Sequence, residues 1–157
     1  NTFEPKTVLQ LIEKHKINIT LGVPSMLSAI AEEQHVNPKD VSSLKILAHG
    51  GSPIATEVIK RCSQAFTSAQ MVEVYGATET SPLATLLGNE EQLIDDPKAR
   101  SCGRSVICCA IRICAPEGHA LPTGEVGEVV VSGANIMKGY WNKAEQTAAV
   151  LLSLIHI

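Results

Sequence analysis

The chain has 157 residues, of which 45% are hydrophobic and 18% are charged, and its 13 basic and 16 acidic side chains give a net charge of −3. This composition is that of an ordinary folded domain and excludes an intrinsically disordered chain. Because the basic residues are neither in excess nor clustered, we expect no nucleic-acid partner. The longest apolar run, at residues 150–157, is shorter than the ~20 residues of a membrane span, so we expect no transmembrane segment.

The cysteines indicate a reducing compartment. Their number is odd, with 5 in the chain, and none of them forms a Cys-x-x-Cys pair. The pattern therefore predicts neither a disulfide framework nor a zinc site. The N-terminal residues also lack the features of a signal peptide. We expect a cytoplasmic protein, and peripheral association of the full-length protein with a membrane stays open.

The first part of the chain, residues 1–98, is predicted to be an α/β subdomain. The predicted elements are a helix at 5–16, a strand at 17–21, a helix at 24–33, a strand at 44–48, a helix at 55–66 and a strand at 71–75. Helical stretches carry apolar residues every three or four positions, whereas the strands are short and β-branched. The alternation of strand and helix predicts parallel βαβ units.

Two glycines follow the second predicted strand. Gly50 and Gly51 let the backbone lie against a planar ligand or bend sharply. Ser52 is suited to cap the next helix, and Pro53 is suited to its first position. A helix start thus explains Ser52 and Pro53, but it does not require both glycines.

The third predicted strand ends in a stretch whose residue types suit a ligand site. Val74 and Tyr75 close the strand, Gly76 frees the backbone, and Thr78 and Glu79 then present a hydroxyl and a carboxylate. Ligands of open α/β sheets bind at this end of the strands. The alternative is a plain turn after a buried strand, with Thr78 capping the turn and Glu79 in solvent.

The polar stretch 88–100 marks a predicted boundary, after which residues 99–142 are predicted to be a β-rich subdomain. Strands are predicted at 109–113 and 127–131, with a turn at 116–118, and the sheet is expected to be antiparallel. Glu125 and Glu128 could be taken for an acid–base pair. The glycines around them instead favour a tight hairpin with solvated charges.

The end of the chain contains three further features. Tyr140 and Trp141 are interpreted as a packing anchor. Asn142, with Glu145 three positions on, has the pattern of a capping box, which predicts a helix over residues 143–150. Residues 151–157 match nothing that precedes them, and we interpret them as an unrelated or out-of-frame tail outside the fold.

Three stretches, 50–54, 71–82 and 124–141, together resemble the adenylate-forming (AMP-binding) superfamily, most closely its bacterial-type fatty acyl-CoA synthetases. The resemblance covers nearly all of residues 1–149. It implies a fragment of the large N-terminal domain, with parallel βαβ units followed by a small β-rich subdomain. The implied reaction joins a carboxylic acid to AMP at the expense of ATP and then transfers the acyl group to coenzyme A. The fragment alone is expected to be inactive.

The resemblance also implies roles for individual residues. Tyr75 corresponds to an aromatic that packs on adenine, Thr78 to a threonine that binds the α-phosphate, and Glu79 to a glutamate that holds Mg²⁺. Thr78 and Glu79 are therefore the catalytic candidates, and Glu79 is the metal candidate. The candidates for binding the nucleotide are Gly50, Gly51, Ser52, Val74, Tyr75, Gly76, Ala77 and Thr78.

Other functions share these motifs. An aryl-CoA ligase, a luciferase-like enzyme or a peptide-synthetase adenylation domain would carry the same central stretch. From a different class, the chain could be a noncatalytic nucleotide-binding or interaction module whose glycines serve turns. The identity and chain length of the acid and the oligomeric state are not determined by the sequence.

Overall fold

The computed structural model describes residues 2–88 and 101–151 together with the backbone of residues 155–156. The chain is α/β and divides into two compact units. One consists of Asn1–Val74 and Leu87–Gly103, and the other of Tyr75–Leu86 and Arg104–Ile157. The boundary predicted at residues 98 and 99 lies outside the described residues.

The first unit contains the predicted βαβ arrangement. Its elements are α1 (Pro5–His15), β1 (Ile19–Gly22), α2 (Pro24–Val36), β2 (Ile46–Gly50), α3 (Thr56–Ala65) and β3 (Gln70–Tyr75). β1 pairs with β2 and β2 pairs with β3, and both pairings are parallel. The prediction of parallel strands joined by helices is therefore confirmed.

The core of this unit lies between the helices and one face of the sheet. The buried cluster consists of Leu9, Ile12, Leu27, Ile30, Ala31, Leu44, Leu47, Cys62, Phe66 and Met71. Each large apolar side chain buried in this way contributes about 1.5–3 kcal/mol. Leu47 and Met71 point from the sheet toward the helices, and because side chains alternate along a strand, Ile19 and Leu21 lie on the other face. Each of these two is 61% exposed.

Element boundaries differ from the prediction by one to three residues, and two of these differences have a physical reason in the structure. The first strand begins at Ile19, because Lys16 has a left-handed conformation (φ 51°) and the Ile17 N–H bonds to the Ile12 carbonyl, which ends α1. The third helix begins at Thr56, and no side chain caps it. The prediction that Ser52 caps this helix and that Pro53 occupies its first position is therefore wrong.

The second unit is rich in short strands. Its elements are a 3₁₀ helix (Thr78–Thr80), β4 (Thr85–Leu87, whose last residue is counted with the first unit), β5 (Arg104–Ser105), β6 (Cys109–Cys114), β7 (Glu128–Gly133), α4 (Ala144–Val150) and β8 (Ile155–His156). β6 and β7 pair in antiparallel fashion, as predicted, and so do β4 and β5. β8 pairs with β7. The tail that the sequence pattern placed outside the fold thus contributes a strand.

The connection between β6 and β7 is longer than a tight hairpin. The Gly118 N–H bonds to the Ala115 carbonyl at 2.8 Å, which confirms the turn predicted at 116–118. A second turn follows at Gly124, where φ is +98°. Because β7 begins at Glu128 and β6 ends at Cys114, the prediction of a tight hairpin at 124–128 is wrong.

The start of α4 also differs from the prediction. The residue before the helix is Lys143, and no side chain caps it. Asn142 has a left-handed conformation with φ 53°, so the predicted capping box with Glu145 does not form. Along the described ranges, 2–88 and 101–151, no helix combines the length and apolar character that crossing a membrane requires.

Candidate active site

Gly50 and Gly51 serve two different purposes at the end of β2. Gly50 is buried and pairs with Val74 of β3, and a Cβ added to Gly50 would lie 2.4 Å from the Val74 carbonyl oxygen. Gly51 has φ +80°, a conformation that L side chains rarely adopt. Ser52 follows them and is exposed. The structure thus gives a reason for each glycine, since one permits close strand packing and the other permits the bend.

In the second unit the central stretch forms a compact turn. After Tyr75, a Cβ added to Gly76 would lie 2.0 Å from the Pro82 carbonyl oxygen. The Ala84 N–H donates to the Tyr75 carbonyl at 2.8 Å. The chain therefore returns on itself between Tyr75 and Ala84, and only glycine fits at position 76.

Thr80, rather than Thr78, closes this turn. The Thr80 hydroxyl accepts from the Ala77 N–H at 2.9 Å and donates to the Ala77 carbonyl at 3.0 Å. Its side chain is fully buried. Thr78 begins the 3₁₀ helix and is exposed. The hydroxyl of Thr78 is consequently available to solvent or a ligand, whereas the capping role belongs to Thr80, which the sequence pattern did not single out.

Glu79 is held by a residue far away in the sequence. The Tyr140 hydroxyl donates to Glu79 Oε1 at 2.7 Å. This bond, together with the backbone N–H of Glu79, lowers the pKa of the Glu79 carboxyl, and the same carboxylate raises the pKa of Tyr140. Glu79 is therefore an ionised carboxylate at neutral pH. It stands beside the exposed hydroxyl-bearing residue Thr78 on one short helical turn.

The segment after β7 also binds the backbone of this turn. The Met137 N–H donates to the Glu79 carbonyl at 2.8 Å. The Asn135 side-chain amide donates to the Thr80 carbonyl at 3.1 Å and to the Leu83 carbonyl at 2.9 Å. These residues are more than fifty positions from the turn, so local sequence patterns gave no signal for them.

The aromatic pair near the end of the chain does not act as predicted. Trp141 is 89% exposed, so it anchors no packing in the described part of the chain. Tyr140 contributes its hydroxyl to Glu79 instead. The prediction of a packing anchor at these two residues is therefore wrong.

The structure thus places the predicted site residues in two groups. Gly50, Gly51, Ser52 and Val74 belong to the first unit, where Gly50 and Val74 are in contact. The range 75–79 belongs to the second unit, where it forms the turn that Thr80 closes. No cluster of three or more His, Cys, Asp or Glu side chains that could hold a metal occurs within residues 2–88 and 101–151.

Residues 1–141 match the family described as AMP-binding enzyme. Feruloyl-CoA synthase of Amycolatopsis sp is 36% identical over 151 residues, which cover 96% of this chain and 30% of that protein. 4-Coumarate–CoA ligase 1 of Glycine max is 36% identical over 147 residues, which cover 92% of this chain and 50% of that protein. The medium/long-chain-fatty-acid–CoA ligase FadD8 of Mycobacterium tuberculosis is 33% identical over 150 residues, which cover 93% of this chain and 25% of that protein.

Solved structures share the fold. The crystal structure of VinN has a TM-score of 0.86 at 25% identity, covering 96% of this chain and 38% of that chain. The N-terminal domain of FACL13 from Mycobacterium tuberculosis has a TM-score of 0.84 at 26% identity, and the match covers 99% of this chain and 38% of that chain. The chain spans only 25% to 50% of the length of the three curated relatives. Since the family match extends over residues 1–141 and the relatives exceed 30% identity, the chain belongs to the AMP-binding enzyme family.

Proposed function

We propose that the full-length protein is an acid–CoA ligase of the AMP-forming kind. In the first step a carboxylate oxygen attacks the α-phosphorus of ATP, and pyrophosphate leaves. In the second step the thiol of coenzyme A attacks the acyl carbon of the acyl-adenylate, and AMP leaves. The observation that carries the proposal is the turn that follows β3, which presents the exposed residue Thr78, with its hydroxyl, next to the carboxylate of Glu79.

The proposed roles follow from the chemistry of each group. The Thr78 hydroxyl donates a hydrogen bond to an α-phosphate oxygen. Tyr75, at the end of β3, offers an aromatic face to the adenine ring. Gly50, Gly51 and Ser52 form part of the wall of the nucleotide and acyl pocket, and the absence of side chains at the glycines lets a ligand approach the backbone. Val74, Gly76 and Ala77 complete the proposed nucleotide-binding set.

Mg²⁺ is the metal that the proposed reaction requires, and Glu79 suits it. Mg²⁺ keeps several water ligands and binds through one or two carboxylates together with substrate phosphates, so a single glutamate is sufficient on the protein side. The pKa of Glu79 is lowered by the Tyr140 hydrogen bond, which keeps the carboxylate charged. When bound, the metal would offset the negative charge on the phosphates.

Two classes of acid are candidates. A fatty acid is the class that the sequence motifs favoured, and the 33% identity to a medium/long-chain-fatty-acid–CoA ligase supports it. An aromatic propenoic acid is the second class, because feruloyl-CoA synthase and a 4-coumarate–CoA ligase are each 36% identical. The cytoplasmic location expected from the sequence stays a prediction.

Acid-dependent ATP–pyrophosphate exchange on the full-length protein tests the proposal. The acids are short, medium and long fatty acids, ferulic acid and 4-coumaric acid. Exchange with one class is expected, and Glu79→Gln should lower its rate by at least about 100-fold, because charge stabilisation by one group contributes on that order. Glu125→Gln, which neutralises an exposed carboxylate in the same unit, is the matched control and should retain the rate.

The opposite outcome points to the other class of function. If a folded full-length protein exchanged with none of these acids yet bound MgATP, the chain would belong to a nucleotide-binding module without ligase activity. Equal exchange by wild type and Glu79→Gln would remove Glu79 from the proposed mechanism.

A further inference from the structure

The segment 135–140, which follows β7, binds the turn over residues 75–84, the proposed active-site turn, through its backbone and through a side chain. The Met137 N–H donates to the Glu79 carbonyl at 2.8 Å. The Asn135 amide donates to two further carbonyls of the turn, those of Thr80 and Leu83. These bonds fix the backbone from Glu79 to Leu83, and the bonds of the Thr80 hydroxyl to Ala77 fix the backbone before Glu79. The torsions of the Glu79 side chain are then what remains to be determined.

The Tyr140 hydroxyl determines those torsions. It donates to Glu79 Oε1 at 2.7 Å, a distance typical of a strong hydrogen bond to a charged oxygen. Only one of the two carboxylate oxygens receives this bond, so the other is oriented without being covered by Tyr140. A long glutamate side chain on the surface would otherwise sample several rotamers.

Tyr140 is itself held by α4. Its backbone N–H donates to the Thr147 hydroxyl at 2.9 Å, and that hydroxyl donates to the Lys143 carbonyl at 2.8 Å. A Cβ added to the preceding Gly139 would lie 2.8 Å from Thr147 Cγ2, so the backbone at Gly139 packs directly against α4. The backbone of Tyr140 is therefore held against α4, and this fixes the position from which the Tyr140 hydroxyl donates to Glu79.

We propose that Tyr140 is a positioning residue for Glu79, whose carboxylate it holds in the orientation in which Glu79 binds the nucleotide-associated Mg²⁺. The inference rests on the proposed function, and it deepens that function by assigning a residue whose sequence context indicated only packing. Hydrogen-bond partners of metal-binding side chains orient their ligands, and their loss typically lowers metal affinity or activity by about 10- to 100-fold. Tyr140 touches neither substrate nor metal in this proposal.

The experiment compares metal dependence in the full-length wild type and in Tyr140→Phe, which removes only the hydroxyl. The first measurement is the Mg²⁺ concentration that gives half-maximal acid-dependent exchange. The second is independent of activity: Mn²⁺ binding in the presence of a nonhydrolysable ATP analogue, followed by electron paramagnetic resonance. Tyr140→Phe should raise both the half-saturating Mg²⁺ concentration and the Mn²⁺ dissociation constant by about 10- to 100-fold.

Two further variants separate positioning from general damage. Trp141→Phe changes the adjacent, 89% exposed aromatic and should leave both constants at the wild-type value. In a Glu79→Gln background, Tyr140→Phe should have no further effect on Mn²⁺ binding, because the tyrosine acts through the charged carboxylate. Melting temperatures of all variants show whether any change in metal affinity follows from unfolding.

Wild-type constants in Tyr140→Phe would overturn the inference, and so would an equal effect of this substitution with and without the Glu79 carboxylate. Failure of the proposed function has a different signature, since the wild type itself would then show no acid-dependent exchange. The metal-positioning role of Tyr140 would fall as well if the wild type also bound no Mn²⁺ with nucleotide. The wild-type result thus reports on the ligase proposal, and the difference between wild type and Tyr140→Phe reports on the positioning role.

Discussion

Gly76→Ala tests whether the turn over residues 75–84, the proposed active-site turn, depends on the close approach of two backbone segments. The added Cβ would lie 2.0 Å from the Pro82 carbonyl oxygen, 2.7 Å from the Pro82 carbonyl carbon and 2.9 Å from Thr80 Oγ1. Ordinary van der Waals contact begins at 3.4 Å. The two backbone segments must therefore separate by about 1.4 Å, because neither contact with Pro82 involves a flexible side chain.

This separation affects stability and rate to different extents. Overpacking of this kind costs about 1–3 kcal/mol of unfolding free energy. The displacement also strains the hydrogen bonds that close the turn, from Ala84 to Tyr75 and from Ala77 to Thr80. Glu79, the proposed metal-binding residue, lies within the same turn, and a misplacement of about 1 Å at such a group lowers the rate by about 100-fold. We therefore expect a modestly destabilised protein that has lost most of its exchange activity.

Urea unfolding and the initial rate of ATP–pyrophosphate exchange measure the two effects on the full-length protein. Gly88→Ala is the matched control, because a Cβ at Gly88 meets no atom within 4 Å and the substitution should change neither quantity. If Gly76→Ala unfolded at the wild-type urea concentration and exchanged at the wild-type rate, the close approach between Gly76 and Pro82 would not exist in the protein.

Two further substitutions test the turn and the surface. Thr80→Val removes the hydroxyl that binds Ala77 and leaves a partly buried N–H without its acceptor, which should cost about 1–3 kcal/mol of unfolding free energy. Thr80→Ser keeps a hydroxyl and should retain most of the stability. Equal stability of all three proteins would contradict the role of Thr80. Hydrogen bonds from Lys16 and then Ser42 hold the pKa of Asp40 well below its ordinary value of 3.8, so its stabilising contribution is present above that pH and is lost as the pH falls through the lowered pKa. As the pH is lowered from 7 to 2, the melting temperature should therefore fall slightly more steeply for wild type than for Asp40→Asn. High salt should reduce the difference because the ion pair between Lys16 and Asp40 is exposed. A steeper fall in the variant would refute the assignment.

Much of the fold could be predicted because hydrophobic periodicity reports directly on burial. The apolar positions on one face of α3 recur at helical spacing, and Cys62 within the helix and Phe66 directly after it are buried. Strands and helices alternate along residues 5–75, and this alternation predicts a parallel sheet. Element ends were predicted less well. A left-handed Lys16 moved the start of β1, and the bend at Gly51 left Ser52 and Pro53 outside the helix.

The contacts of the candidate site could not be predicted from its residue types. Thr78 and Thr80 both carry hydroxyls, and the geometry of a 3₁₀ turn, in which positions three apart face each other, decides that Thr80 reaches Ala77. The bond between Tyr140 and Glu79 joins residues 61 positions apart. Such a pairing follows from tertiary structure, and in a single sequence Tyr140 has only the character of a packing aromatic.

Trp141 is the one tryptophan among the 157 residues, and its indole already faces water in the folded chain. Unfolding moves this ring from one aqueous environment to another, so its intrinsic fluorescence is a poor reporter of global denaturation, and circular dichroism is the better optical probe. The same ring is the immediate chain neighbour of Tyr140, which contacts Glu79. Its emission is therefore a native optical reporter of local rearrangement at this end of the active-site turn, available without an added label.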